Sequence, residues 1–78
     1  MQMSLEDNEI VTLKDLCSLP NLMELYFSNN KLENLKEIIN LMHQPKLIIL
    51  DISGNNFCKD PSYRIYTLYH LKKLKVNF

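Results

Sequence analysis

Apolar residues and one asparagine recur along the chain in the same order and at the same spacing. The pattern is Leu22-x-x-Leu25-x-Phe27-x-x-Asn30-x-Leu32, and it returns twenty-five residues later as Leu47-x-x-Leu50-x-Ile52-x-x-Asn55-x-Phe57. The middle slots alternate apolar and polar residues, which predicts a strand that buries one face and leaves the other in water. Two such strands are expected, at about residues 24–28 and 49–53. Because the copies repeat, we expect the strands to stack in parallel.

The first ten residues match the second half of the same pattern. Its later slots are filled by Met3, Leu5, Asn8 and Ile10. The sequence therefore begins in mid-repeat, which leaves one end of the core without a cap. We expect either a fragment of a longer protein or another molecule that covers this edge, and self-association of two copies through it is one such arrangement.

The segments between the strands differ in their apolar spacing. In the first, apolar residues recur at every third position, at Leu13, Leu16, Leu19 and Leu22. That period favours a tight, partly 3-10 segment, which Pro20 ends. In the second, residues 35–43, the apolar spacing is that of an amphipathic α-helix, with Leu35, Ile38, Ile39 and Met42 on one side. This spacing predicts an α-helix that Pro45 stops.

The C-terminal twenty residues follow a different pattern. Asp60-Pro61 is a helix-start signal, with aspartate as N-cap and proline in the first turn. The helix is expected to close the end of the core with its bulky residues Tyr63, Ile65, Tyr66, Leu68 and Tyr69. A last strand fragment is predicted from Leu71-x-x-Leu74-x-Val76.

The asparagine slot has a physical explanation. Asn30 and Asn55 mark the point where the chain turns off a strand. There a short amide side chain is able to bond to backbone groups that no strand pairing satisfies. Asparagine in an ordinary exposed turn is the simpler interpretation, but recurrence in register with four apolar slots argues against it.

The repeated pattern is that of a leucine-rich repeat, and the whole chain resembles the short-repeat, intracellular class of these proteins. Members include a regulatory subunit of a Ser/Thr protein phosphatase, acidic nuclear phosphoproteins, a spliceosomal subunit and an axonemal dynein light chain. Residues 55–76 resemble the C-terminal cap of this class, on the match of Tyr63-Arg64 with Leu68, Leu71, Leu74 and Val76. The family's cap continues to an aspartate, and Asn77-Phe78 departs from that.

The resemblance implies an α/β leucine-rich-repeat solenoid fragment. Its short parallel sheet would form the concave side, and helices and 3-10 turns would form the convex side. We expect a single domain, residues 1–78, with a half repeat (1–10), two repeats (11–32 and 33–57) and a cap (58–78). The resemblance implies a cytoplasmic protein, and it points also to ciliary, centrosomal or nuclear proteins.

Charge is balanced overall but unevenly distributed. Residues 1–39 hold seven acidic residues and three lysines, and residues 40–78 hold two acidic and six basic residues. One half therefore has a net charge of −4 and the other +4, which serves solubility or, at the basic end, favours an acidic partner. Two cysteines at non-equivalent positions, Cys17 and Cys58, indicate a reducing compartment. No apolar run approaches the ~20 residues of a membrane span, so no membrane association is expected.

Protein binding by the concave face is the predicted function. The polar slots of the strands place the following candidate partner-binding residues on that face: Glu24, Tyr26, Ser28, Ile49, Asp51, Ser53, Lys73 and Lys75. Gln2, Ser4, Glu6 and Asn77 would extend it at the two ends. Tyr26 and Ile49 are apolar where water would favour polar residues, which indicates interface anchors. A single exposed apolar side chain also occurs without any such role.

Other function classes are less well supported by the residues. Nucleic-acid binding would depend on Lys72, Lys73 and Lys75, which the strand would split between two faces. A purely structural spacer is a third possibility. Cysteine and histidine do not occur at metal-ligand spacing, and the sequence lacks a glycine-rich phosphate loop. We therefore expect no enzyme activity, no cofactor, no metal and no small-molecule substrate.

Overall fold

The computed structural model describes residues 1–16, 19–42 and 44–77. Four short parallel strands form one sheet in the order of the chain: β1 (Gln2–Ser4), β2 (Glu24–Tyr26), β3 (Ile49–Asp51) and β4 (Val76–Asn77). Leu25 is in register with Met3 on one side and with Leu50 on the other. The predicted parallel sheet with helical segments between its strands is confirmed. The expectations for Cys17, for Phe78 and for the end of the predicted helix at residue 43 concern residues outside these ranges.

The strands are shorter than the apolar alternation predicts. β2 ends at Tyr26 and β3 at Asp51, two residues before the predicted ends. Backbone pairing nevertheless continues, because the N–H of Phe27 donates to the carbonyl of Asp51 at 2.7 Å and that of Asn29 to Ser53 at 2.9 Å. This pairing ends at Asn29, which has a φ of 58° and turns the chain away from the strand direction.

All ten slots of the two complete patterns are buried. The apolar ones form a single core, in which Leu25, Phe27, Leu50 and Ile52 are the strand residues. Leu22, Leu32, Leu47 and Phe57 complete the core above and below them. The register deduced from the apolar pattern is therefore confirmed. The residues of the leading half pattern, Met3, Leu5 and Ile10, pack against the same core but are only partly buried.

The segment between β2 and β3 is a 3-10 helix, Leu35–Leu41, and the predicted α-helix is wrong. Its buried residues are Ile38 and Leu41, and Leu35, three residues before Ile38, packs against the core. That period of three is the 3-10 period. Ile39 and Met42, which an α-helix would have turned inward, are exposed. The expected 3-10 segment after the first turn is present at Lys14–Leu16.

Two long polar side chains tie neighbouring return segments together. The Glu37 carboxylate accepts from the Thr12 hydroxyl at 2.9 Å and from the N–H of Leu13 at 2.8 Å. The buried Gln44 amide accepts from the N–H of Leu19 at 3.1 Å and donates to the carbonyl of Leu16. Both therefore satisfy backbone groups of the preceding return segment, which helical hydrogen bonds leave unused.

Asn30 and Asn55 form an asparagine ladder along the edge where the strands end. Each amide nitrogen donates to a carbonyl of its own repeat and to the equivalent carbonyl of the preceding one, Leu5 (3.0 Å) for Asn30 and Phe27 (3.1 Å) for Asn55. Each amide oxygen accepts from a backbone N–H of the preceding repeat, Ile10 or Leu32, at 3.1 Å. Both side chains are buried and have donor and acceptor partners, which offsets the cost of removing them from water.

The residue before each asparagine has a left-handed backbone. Asp7 (φ 60°), Asn29 (φ 58°) and Gly54 (φ 72°) occupy this position in the three successive units. Aspartate, asparagine and glycine are the residue types that tolerate this conformation best. A Cβ atom at residue 54 would lie 2.1 Å from the Asn29 amide oxygen, so any larger residue there requires the Asn29 side chain to move.

The C-terminal helix, α1 (Tyr63–His70), closes the core with fewer residues than predicted. Tyr63, Thr67 and Leu71 are buried, and the Tyr63 ring stacks on Phe57 with 5.8 Å between centroids. Tyr66 is half-buried and packs against the core. The expectation is wrong for Ile65, Leu68 and Tyr69, which are 77%, 54% and 66% exposed. The helical period explains this, since these three residues lie on the side opposite Tyr63 and Thr67.

The helix also begins later than its start signal predicts. Ser62, not Asp60, is the N-cap residue of α1. Asp60 instead forms a tight turn, because its carboxylate accepts from the N–H of Ser62 at 2.8 Å and its carbonyl accepts from that of Tyr63 at 3.0 Å. The aspartate therefore orders the approach to the helix, with Pro61 inside this turn.

We predict that Asn55→Ala lowers the free energy of unfolding by at least ~2 kcal/mol, because it leaves several buried backbone groups without a partner. Asn8→Ala is the matched control. Asn8 donates to the carbonyls of Leu5 and Glu6 in an exposed turn, so its replacement is expected to cost under ~1 kcal/mol. Urea unfolding followed by circular dichroism measures both changes, and equal losses would contradict the buried ladder.

Tyr63→Ala is expected to cost ~3 kcal/mol, because it removes the ring that covers Phe57 and leaves a cavity in the cap. Tyr69→Ala removes the same atoms from an exposed site and is expected to change stability by under ~0.5 kcal/mol, as is Leu68→Ala. The urea midpoints of the three variants test this order. A loss in Leu68→Ala as large as in Tyr63→Ala would mean that the helix faces the core with its other side.

Candidate functional site

The sheet has one face that does not enter the core, which we call the open sheet face. It is built from residues that alternate with the buried strand residues, in two rows across the strands. One row is Gln2, Glu24 and Ile49, and the other is Ser4, Tyr26 and Asp51. The sheet register therefore brings together the predicted site residues of β2 and β3. Ser28 and Ser53 continue the face towards the asparagine ladder.

Tyr26 and Ile49 differ from the predicted exposed anchors. Both are half-buried, as are Glu24 and Asp51 beside them. Part of the shielding of Tyr26 comes from Glu24, since its hydroxyl donates to the Glu24 carboxylate at 2.6 Å. A ring already held by a neighbour loses little rotational freedom when a partner covers it.

Carboxylates surround Tyr26. The hydrogen bond to Glu24 is the largest cause that raises the pKa of Tyr26, followed by partial burial and by the negative charges of Glu24, Asp51 and Glu6. Asp51 in turn accepts from the hydroxyl and the N–H of Ser53, at 2.7 and 3.1 Å. The open sheet face between β1 and β3 therefore presents one aromatic side chain, Tyr26, surrounded by negative charge.

Lys73 and Lys75 do not occupy the positions predicted for them. The repeat pattern places Lys73 beside Ile49 and Lys75 beside Asp51, but residue 76 is in register with Ile49 and residue 77 with Leu50. The N–H of Lys75 donates to the carbonyl of Ile48 at 2.8 Å, one residue earlier. The prediction is wrong because Leu71 and Leu74 have the spacing of the apolar strand positions, although neither residue lies in a strand. Leu71 is the buried C-cap of α1, and Leu74 packs against the core from the following turn.

The remaining chemistry is sparse. Within residues 1–16, 19–42 and 44–77, no group of three or more histidine, cysteine or acidic side chains is arranged to hold a metal ion. Cys58 is a free, half-buried thiol that donates to the carbonyl of Ile52 at 3.2 Å. In the same part of the chain, no helix is both long and apolar enough to cross a membrane.

Comparison with known proteins defines the class of protein. The family model described as leucine-rich repeat matches residues 1–78, and the chain belongs to this family. The structure agrees with this match, since it has the buried apolar slots, the parallel sheet and the asparagine ladder described above. The sequence resemblance on which the fold was predicted is thereby confirmed.

Two curated proteins are similar in sequence to this chain. The U2 small nuclear ribonucleoprotein A′ of Arabidopsis thaliana is 45% identical over 58 residues, which are 74% of this chain and 23% of that protein. The alpha subunit of geranylgeranyl transferase type-2 of Rattus norvegicus is 33% identical over 54 residues, 69% of this chain and 10% of that protein. The chain thus spans no more than about a quarter of the length of these curated relatives.

Among solved structures, a chain of the Drosophila melanogaster SNF/U2A′ complex is similar to this one. The two superpose with a TM-score of 0.86 and 25% sequence identity, over 97% of this chain and 45% of the other. The whole arrangement of strands, return segments and cap is therefore shared with a segment of that longer chain.

The environment of Tyr26 yields a titration experiment. Glu24→Gln removes the charged acceptor and one negative charge, so the pKa of Tyr26 is expected to fall towards its ordinary value of 10.0. Glu9→Gln, a remote control, is expected to leave it unchanged. NMR titration of tyrosine ring carbons measures the pKa, with Tyr26→Phe to assign the signal. An equal pKa of Tyr26 in the native chain, in Glu24→Gln and in Glu9→Gln would contradict the Tyr26–Glu24 hydrogen bond.

Proposed function

We propose that this chain is a non-catalytic protein-interaction module that binds a partner protein through the open sheet face. The observation that carries the proposal is the pair Tyr26 and Ile49, half-buried apolar side chains fixed in adjacent rows of a face that has no role in the core. The similar Drosophila chain supports it, since that chain was crystallised within the SNF/U2A′ complex. A scaffold or regulatory role in a larger assembly is part of this proposal.

Rigidity is what suits the face to this role. The strands that present it are held by the asparagine ladder on one side and by Glu37 and Gln44 on the other. A partner therefore meets side chains in fixed rows and does not have to order the backbone, which lowers the entropic cost of binding.

The electrostatics of the face favour one kind of partner. Glu6, Glu24 and Asp51 act together on the Tyr26 hydroxyl, so their field is directed at the centre of the face. A partner segment with lysine or arginine would complement this charge, and an arginine would also stack on the Tyr26 ring. The face has eight residues, Gln2, Ser4, Glu24, Tyr26, Ser28, Ile49, Asp51 and Ser53. Because a standard interface has ~20–30 residues per partner, this contact alone gives weak or transient binding.

The same charges weaken the case for nucleic acid as the partner, since phosphates would meet carboxylates on this face. For location, we propose an intracellular protein, cytoplasmic or nuclear. The name of the Arabidopsis relative, a small nuclear ribonucleoprotein, supports the nuclear alternative. A ciliary or centrosomal location stays a prediction from the resemblance.

Affinity capture with the chain as bait tests the proposal. The double variant Tyr26→Ala/Ile49→Asp alters the open sheet face, and Val11→Ala/Lys14→Ala alters exposed side chains elsewhere. Proteins bound through the sheet are expected to fall at least ~5-fold with the first variant and to stay within ~2-fold with the second. Circular dichroism and urea midpoints confirm that both variants fold. Capture of the proteins that bind through the sheet is expected to weaken when the salt concentration rises from ~0.05 to ~0.3 M.

Two results would contradict the proposal. If both variants retain the same proteins as the native chain, the contacts lie off the sheet. If the native chain retains none, the chain acts as a spacer between other binding segments.

A further inference from the structure

One cavity of the described residues lies away from the sheet. It is a groove of about 610 Å³ between the C-terminal end of α1 and the end of the 3-10 helix Leu35–Leu41. One wall includes Leu41, Met42 and Pro45, and the other includes Tyr69, Leu71 and Leu74. The walls are predominantly apolar, and the volume is within the range of ~300–1,000 Å³ that holds large side chains or small ligands.

The outer side of α1 continues this apolar surface. Ile65, Leu68 and Tyr69 are spaced i, i+3 and i+4, so they form one stripe along the helix. Tyr69 belongs both to the stripe and to the wall of the groove. The helix therefore has two apolar sides, of which the core uses the one with Tyr63 and Thr67. A helix that is apolar all round is normally buried on both sides.

The residues of α1 and of the turn after it carry charge of one sign, although the exposed Asp60 precedes the helix. From residue 61 to residue 78 the sequence holds four basic residues and no aspartate or glutamate. Lys72 and Lys73 line the groove, and the Lys72 ammonium lies 5.3 Å from the centre of the Tyr69 ring. Arg64 is exposed one residue before Ile65. Apolar side chains are thus bordered by cations on both ends of α1.

We propose that α1 and the adjacent groove form a second binding surface, which accepts an amphipathic helix of a partner protein with acidic residues beside its apolar stripe. Such a helix lays its apolar side along a neighbouring helix and inserts large side chains into the groove. Its carboxylates meet Arg64, Lys72 and Lys73. Basic and apolar residues also bind membrane surfaces. A bilayer, however, takes up side chains that protrude from a protein and does not fill a groove such as this one.

The surface differs from the open sheet face in place and in charge, so the two bind independently. The test uses a synthetic helical peptide of about 18 residues, or ~27 Å, with leucine in one stripe and glutamate beside it. A shuffled peptide of the same composition and a peptide with lysine in place of glutamate are the controls. Fluorescence anisotropy measures the affinity, and ¹⁵N NMR shift changes locate the site. We expect the glutamate peptide to bind at least ~10-fold tighter than either control.

Variants of the chain separate the apolar and charged contributions. Leu68→Ser/Tyr69→Ser is expected to weaken binding of the glutamate peptide at least ~10-fold, while Val11→Ser/Met23→Ser, a matched change of exposed apolar residues, stays within ~2-fold. Lys72→Glu/Lys73→Glu is expected to weaken it by a similar factor and to remove its salt dependence, with Lys14→Glu/Lys36→Glu as the control. All four pairs are exposed, so the fold is expected to survive.

Several results would overturn the proposal. The glutamate peptide binding no tighter than its two controls is one, and loss of its binding with Tyr26→Ala is another. Binding to anionic phospholipid vesicles in place of the peptide would identify a membrane surface. Concentration-dependent self-association that Leu68→Ser/Tyr69→Ser abolishes would identify a second copy as the occupant.

Discussion

The buried amides of Asn30 and Asn55 are the interaction on which the rest of the structure depends. The strands are only two or three residues long, which is too little regular pairing to fix a register by itself. Each amide adds bonds to the carbonyl and the N–H of the preceding repeat, and so sets the distance and the offset between repeats. Once that offset is set, Leu25 and Leu50 align in the core, and Tyr26 and Asp51 align on the opposite face.

The helical side of the molecule obeys a similar constraint with different residues. Glu37 and Gln44 reach back to the preceding return segment, as the asparagines do at the other edge. A repeat is therefore fixed to its neighbour at two points, with apolar packing between them. α1 ends this series by covering Phe57 with Tyr63. Covering the core requires only one side of the helix, and this is why its other side is free to carry the apolar stripe of Ile65 and Leu68.

The repeat spacing is sufficient to predict the sheet, its register between β2 and β3, and every buried slot from Leu22 to Phe57. It fails where one spacing fits two structures. Leu35 and Ile38 satisfy an α-helical stripe as well as a 3-10 one, and the return path between fixed strands selects the 3-10 form. Leu71 and Leu74 fit strand slots by distance alone, so the pattern predicts β4 three residues too early. The groove beside α1 could not be predicted, because it depends on the packing of two segments, residues 41–47 and 69–74, that are far apart in the chain.

The direction of the asparagine bonds has a consequence for how the protein is made. Both asparagines bond backwards, to groups that precede them by between twenty and twenty-eight residues. During synthesis the carbonyl of Leu5 and the N–H of Ile10 leave the ribosome well before Asn30, and those of Phe27 and Leu32 well before Asn55. Each turn therefore stays incompletely bonded until the next repeat has emerged, so no repeat has all of its backbone bonds before its C-terminal neighbour is available.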